Sequence, residues 1–225
     1  MKSAAFFDLD NTLIRGSSLM LLGRGLISQG YISRSELTKY VFQNLKFVFS
    51  KTENLQLVEK LIPRGLKIIS GMFHSEVVAL CDALVGEMLP AKLNELTAEM
   101  VNWHNDMNHH TWIVTASPIE IAAPIAERLG MTGALGTICE VDAGTYSGKL
   151  LSPILHGSYK AAAIEKLCSS ENYDLNQAYF YSDSVSDLPA LTCVGNPVVV
   201  NPNPHLKSIA MKNHWRMIEG TNAAA

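Results

Sequence analysis

Apolar residues 3–7 read as a short strand that runs straight into acid, Phe6-Phe7-Asp8-Leu9-Asp10-Asn11-Thr12. From about Ser17 to Met107 the pattern changes to helical spacing. Leu37, Tyr40, Val41, Leu45, Val48 and Phe49 recur at this period, as do Val77, Val78, Cys81, Leu84, Val85 and Met88. Pro63, Gly71 and Pro90 fall where helix junctions are expected. From Thr111 strands and helices alternate. Trp112-Ile113-Val114-Thr115 reads as a strand, followed by a helix from Pro118 to near Gly130 with Ser117 as its N-cap. Ala134 to Glu140 reads as a strand, Val141 to Leu150 as a hairpin through Gly144 and Gly148, and Ser158 to Cys168 as a helix. A strand ending at Asp183, a strand over Pro197 to Asn201 and a short helix over Pro204 to Met211 complete the series. This alternation predicts an α/β fold with a parallel sheet covered by helices on both faces. Ligands in such sheets bind beyond the carboxyl ends of the strands, where Asp8, Thr115 and Asp183 all fall.

Composition narrows the function classes. With 225 residues, 48% hydrophobic and 17% charged, the chain suits a soluble globular enzyme. A net charge of −3 offers no basic footprint for nucleic acid. Cysteines 81, 139, 168 and 193 lack C-x-x-C spacing, which points away from a disulfide framework and toward a reducing, cytoplasmic setting. The N-terminus runs directly into the first strand, leaving no room for a removable leader. Leu188 to Leu206 is the longest uncharged stretch, but Pro189, Pro197, Pro202 and Pro204 interrupt it, so it reads as turn, strand and turn. The aromatic run from Tyr40 to Phe49, flanked by Lys39 and Lys51, reads as a buried helix face. A lipid-contacting surface is the alternative.

The acids carry the candidate chemistry. Two carboxylates two residues apart in an apolar setting are costly to bury without a cation or hydrogen bonds to compensate. Tyr179-Phe180-Tyr181-Ser182-Asp183 repeats the motif of an apolar strand ending in acid, with Asp187 four residues later. Together these oxygens suit Mg²⁺, and the chemistry of choice is phosphate transfer. Asp10, one pleat beyond Asp8, is expected on the same side. Read alone, Thr115 is a strand residue, Lys160 a surface lysine and Asp187 a helix first-turn acid.

In order, Asp8-Leu9-Asp10-Asn11-Thr12, Ile113-Val114-Thr115-Ala116-Ser117, Lys160 in Gly157-Ser158-Tyr159-Lys160, and Ser182-Asp183 through Ser186-Asp187 resemble the four motifs of the haloacid dehalogenase superfamily. The likeness is to subfamily IB, the phosphoserine-phosphatase-like branch, and covers nearly the whole chain. It implies a Rossmann-like core over 1–15 and 108–225, with an inserted all-helical C1-type cap over 16–107. It also implies a Mg²⁺-dependent phosphomonoester hydrolase acting on a small phosphorylated metabolite. Asp8 would be the nucleophile that forms an aspartyl-phosphate, and Asp10 the acid that protonates the leaving alcohol and then activates water. Thr115 and Lys160 would bind the phosphoryl group. Asp8, Asp183 and the Asp10 carbonyl would hold the metal, with Asp187 behind them on Lys160 or a metal-bound water.

Two positions depart from the family pattern. Ser186 stands where an Asn precedes the final Asp, so any phosphate contact there falls to a hydroxyl. Ser17, nine residues after Asp8, stands where phosphoserine phosphatases carry a glutamate for the substrate ammonium, which argues against phosphoserine. Among Arg15, Arg24, Arg34 and Arg64, Arg15 together with Ser17 lies nearest the first motif and is the preferred leaving-group contact. His104, His109 and His110 read as a solvated loop rather than a zinc or copper site. Two alternatives stay open, a lipid-phosphate phosphatase at a membrane surface and a non-catalytic phosphometabolite-binding protein.

Overall fold

The computed structural model describes residues 2–31 and 65–220. The expectations for Leu37 to Phe49, Pro63, Arg34 and Arg64 lie outside the described residues. Strand β1 (Ala4–Phe7) is followed by helices α1 (Ser18–Ser28), α2 (His74–Lys92) and α3 (Glu95–Asp106). Next come β2 (His110–Pro118), α4 (Ile119–Arg128), β3 (Gly133–Thr137) and the strands β4 (Cys139–Asp142) and β5 (Thr145–Leu150). The chain continues with α5 (Ser158–Glu171), β6 (Tyr179–Ser182), α6 (Leu188–Cys193), β7 (Asn196–Val200), α7 (Pro204–Lys212) and β8 (Arg216–Ile218).

Six strands form one sheet in the order β3-β2-β1-β6-β7-β8, every pair parallel. A parallel strand in mid-sheet is buried on both faces, which is why β1 is apolar at every position. Phe6 and Phe7 are fully buried, each stabilising the fold by about 2–3 kcal/mol. Alternate residues serve opposite faces. Phe7, Ile113 and Tyr181 pack with Val85 of α2, Val101 of α3 and Ile125 of α4. Phe6, Val114 and Phe180 pack with Ile164 of α5, Leu191 of α6 and Leu206 of α7. Helix α3, which the sequence places in the helical insertion, thus contributes to the core against the sheet.

Several local expectations are corrected. The chain leaves extended geometry after Phe7. The Leu9 carbonyl accepts the N–H groups of Thr12, Leu13 and Ile14, and Asn11 takes a left-handed φ of 57°, so the first motif is a tight loop rather than a continuing pleat. Ser117 is not the N-cap of α4. Strand β2 extends to Pro118, which occupies the cap position. Pro90 lies inside α2 instead of at its end. Both Pro90 and Gly86, whose carbonyl loses its helical donor there, are exposed, so water can satisfy that carbonyl. The segment after Asp187 is a helix, α6, because Pro189 sits in its first turn, where a missing N–H costs nothing. The single strand expected over Ala134 to Glu140 is divided between β3 and β4.

The β4–β5 hairpin turns at Ala143 and Gly144, both with positive φ. Its backbone is bound to the segment entering α2. Gly71 N–H donates to Tyr146, Tyr146 N–H to Met72, and His74 N–H to Gly144. Below these bonds the Tyr146 hydroxyl donates to the buried Glu120 carboxylate at 2.8 Å.

Candidate active site

The parallel sheet brings the acids together. Residues 5–7 of β1 lie in register with 111–113 of β2 and 179–181 of β6, so their next turns emerge side by side at one sheet edge. Asp8 follows β1, Thr115 lies in the last part of β2 and Asp183 follows β6. The Asp8 N–H donates to the Tyr181 carbonyl at 2.9 Å, fixing the turn on the neighbouring strand. Lys160 enters from the first turn of α5, whose N-cap Gly157 has a φ of 57°.

Lys160 is the centre of the constellation. Its ammonium stands 2.7 Å from Asp8 Oδ1 and 2.8 Å from Asp187 Oδ2, and all three residues are buried. Asp187 also accepts from the Ser182 hydroxyl at 2.7 Å. The Phe180 ring lies beneath the ammonium, its centroid 5.7 Å away. Burial works to lower the Lys160 pKa, but the charges of Asp187 and Asp8 outweigh it and raise it, so the lysine is held cationic. Asp8 moves the other way. Burial pushes its carboxyl well above the usual range against the pull of Lys160, and the nearby charges of Asp187 and Asp183 push it further. With Asp183 near Asp8, three carboxylates share the site with one ammonium and leave an excess of negative charge.

That excess and the chemistry of the donors fit a hard divalent cation. Among the described residues no three His, Cys, Asp or Glu side chains form a ready-made cage. Magnesium does not demand one, since it retains waters and takes one or two carboxylates together with substrate phosphate. Thr12 steadies the second candidate ligand. Its hydroxyl donates to Asp183 Oδ1 at 3.3 Å and accepts the Asp183 N–H at 3.1 Å.

Asp10 is held separately. Its Oδ1 accepts the N–H of Ser18, the first residue of α1, at 2.9 Å. Burial raises its pKa, and hydrogen bonds from Ser18 and Ser17 oppose the rise, as does the charge of Lys160. Thr115 is buried, and its oxygen accepts the Ser117 N–H at 3.1 Å, so its own proton is directed elsewhere. Ser186 lies in a 3-10 turn, 3.0 Å from the Ser184 hydroxyl. Arg15 is not drawn in among these groups. It is exposed and donates to the Leu93 carbonyl at 3.2 Å. Arg24, on α1, is also exposed.

The histidines are not a solvated loop. His104 is fully buried in α3, with Nε2 2.9 Å from the Tyr181 hydroxyl and Nδ1 2.8 Å from Nδ1 of His109. The Tyr181 ring stacks on Phe7 at 4.4 Å between centroids. Burial, with the charges of His109 and Arg216, pushes His104 down to about 3, so it is neutral. His110 instead bonds the Tyr173 hydroxyl at 2.6 Å. Helical spacing hid this packing, because the apolar partners belong to strands 70 and more residues distant.

A family model described as haloacid dehalogenase-like hydrolase matches residues 5–192. The chain belongs to this family, in its phosphoserine-phosphatase-like branch, and is a phosphatase. A Mycobacterium tuberculosis protein named phosphoserine phosphatase is 38% identical over 96% of this chain and 70% of its own length. A Neisseria meningitidis protein named histidinol-phosphatase is 26% identical over 97% of this chain and 99% of its own. A Bordetella pertussis protein of unknown function shares the fold at a TM-score of 0.83 and 24% identity, covering 96% and 98% of the two chains. A phosphoserine phosphatase solved as its phospho-aspartyl intermediate analogue gives a TM-score of 0.60 at 17% identity, covering 92% of this chain and 90% of that one. Phosphatases of this family generally use Mg²⁺. Among the described residues no helix is long and apolar enough to cross a membrane.

Proposed function

We propose that the chain is a Mg²⁺-dependent phosphomonoester hydrolase that transfers phosphate to Asp8. The observation that carries this reading is the buried Lys160 ammonium between Asp8 and Asp187. An ammonium has three donors. Two are taken by the carboxylates, and the third is left for a phosphoryl oxygen. Lys160 thereby offsets the repulsion between an anionic nucleophile and an anionic substrate. Asp8, Asp183 and the Asp10 carbonyl would hold the metal, which supplies further positive charge for the transferring group. That charge also favours the ionised Asp8 that burial opposes.

Asp8 attacks phosphorus and the P–O bond to the leaving group breaks. Asp10 gives its proton to the departing oxygen, then takes one from the water that hydrolyses the aspartyl-phosphate. Burial raises its pKa, the direction that favours a proton donor. The Thr115 hydroxyl donates to a phosphoryl oxygen. Asp187 and Ser182 keep Lys160 in place.

The substrate we infer is a small phosphorylated metabolite other than phosphoserine. Ser17 brings no carboxylate to the ammonium position, and its hydroxyl is engaged with Asp10. The relatives' names divide between phosphoserine and histidinol phosphate, so they do not fix one leaving group. We place the helical insertion as the selector of that group and the protein in the cytoplasm, where its four cysteines remain free thiols. The test is phosphate release from a panel of phosphorylated metabolites and 4-nitrophenyl phosphate, with and without chelator. Activity should vanish with chelator and return with Mg²⁺. Full turnover in excess chelator overturns the metal assignment, and preference for phosphoserine overturns the substrate reading.

A further inference from the structure

We propose that Ser18 is a positioning residue for Asp10, the middle member of a hydrogen-bonded string that runs from the second motif through Ser18 to the acid–base carboxylate. The inference rests on the reading of Asp10 as the group that protonates the leaving oxygen.

Ser18 is completely buried at the first position of α1. Its backbone N–H donates to Asp10 Oδ1 at 2.9 Å, and its hydroxyl stands 2.6 Å from that of Ser117, which is also buried. Ser117 is itself fixed. Its N–H donates to Thr115 Oγ1 at 3.1 Å, and the preceding Ala116 carbonyl accepts the Thr137 hydroxyl at 2.7 Å. One serine therefore ties the start of the helical insertion to the loop bearing Asp10 and to the end of β2, which bears Thr115.

Helix capping does not account for these hydroxyls. The N-cap residue Ser17 makes no side-chain cap bond, and α1 has no acid in its first turn. Asp10 takes that place from outside the helix, accepting the Ser18 N–H at the end of the helix that carries partial positive charge. The carboxylate is thus aimed by the helix start and not only by its own loop. Aim matters because Asp10 must reach the leaving oxygen in one step and a water in the next, and a displacement of about 1 Å can cost on the order of 100-fold in rate.

The test is Ser18→Ala on the Mg²⁺-loaded enzyme, with single-turnover release of the phenol from 4-nitrophenyl phosphate and from phenyl phosphate. Nitrophenolate leaves without a proton, whereas phenol needs one. Ser18→Ala should slow phenyl phosphate by about 10- to 100-fold and 4-nitrophenyl phosphate by less than about threefold. Ser117→Ala should shift the same ratio in the same direction, which keeps the test available if Ser18→Ala does not fold. Equal slowing of both esters, or slowing of neither, overturns the inference and leaves Ser18 a packing residue. Asp10→Asn is run in parallel. If that variant also treats the two esters alike, it is the acid–base reading that fails rather than the positioning by Ser18.

Discussion

Thr12 and Asp183, separated by 171 residues, hold each other by two hydrogen bonds through one hydroxyl. The Thr12 oxygen accepts the Asp183 N–H while its proton goes to the Asp183 carboxylate. A carboxylate oriented in this way is fixed for a cation, and removing such a support typically costs 10- to 100-fold in metal affinity. Thr12→Val keeps the shape of the side chain and loses both bonds. It should raise the Mg²⁺ concentration for half-maximal activity by about tenfold, with little change in the rate at saturating metal. A metal-activation titration checks this, and an unchanged midpoint would remove Thr12 from the metal site.

The two acids of the first motif should separate cleanly. Asp8→Asn should abolish turnover, because an amide oxygen is a poor nucleophile. Asp10→Asn should retain a slow reaction, down by roughly 10²- to 10⁴-fold on an alkyl phosphate. Acid quench of Asp10→Asn during turnover, followed by peptide mass mapping, should find phosphate on Asp8. Phosphate on Asp10 in the Asp8→Asn variant would reverse the roles.

Lys160→Met leaves two buried carboxylates facing each other without their cation. Breaking a buried ion pair from one side typically costs about 3–5 kcal/mol, and loss of the charge facing the phosphate should remove nearly all activity. Urea unfolding in the absence of Mg²⁺ measures the first effect. Because Asp8 is the group raised by burial, its uptake of a proton should recover part of the lost stability at low pH. A variant equally unstable at every pH would exclude that compensation.

His104 gives the chain a defined acid sensitivity. Its folded pKa of about 3 lies below the unfolded value near 6.5, so the unfolded state binds the proton more tightly. The stability that neutral His104 contributes is complete above pH 6.5 and is lost progressively as pH falls toward 3. Relative to pH 7, that loss should be about 2 kcal/mol by pH 5. His104→Gln, which cannot take up a proton, should lose less stability than wild type over this window, so the difference between the two proteins should change by about 2 kcal/mol from pH 7 to pH 5. Thermal melts from pH 7 to pH 4.5 check it. Parallel declines for both proteins would assign the acid sensitivity elsewhere, His109 being the next candidate.

The sequence made the strands and the order of the four motifs legible, because central parallel strands are continuous apolar runs and their ends carry the acids. Asp8 and Asp183 could be singled out in this way, Lys160 and Asp187 only through the resemblance to the family's motifs. Partners could not. Ser117 has the residue type and the position of an N-cap, and only the fold reveals that its hydroxyl meets Ser18, 99 residues away. The histidines carry a polar label in a polar stretch, yet Phe7 and Tyr181 turn His104 into core. Thr12 was visible within the first motif, but its bond to Asp183 depends on β1 and β6 being neighbours. What stayed hidden is pairing between distant segments, which no local periodicity encodes.

The central place of β1 also sets an order of assembly. Strand β1 is synthesised before both of its neighbours and must wait for β2, more than a hundred residues later, and for β6. Until Lys160 and Asp187 have been synthesised, Asp8, the nucleophile we propose, has neither its counter-ion nor the wall that buries it. On that proposal an emerging chain does not yet hydrolyse phosphate esters, and β1 leaves an apolar edge unpaired until β6 is made, the kind of segment that chaperones hold.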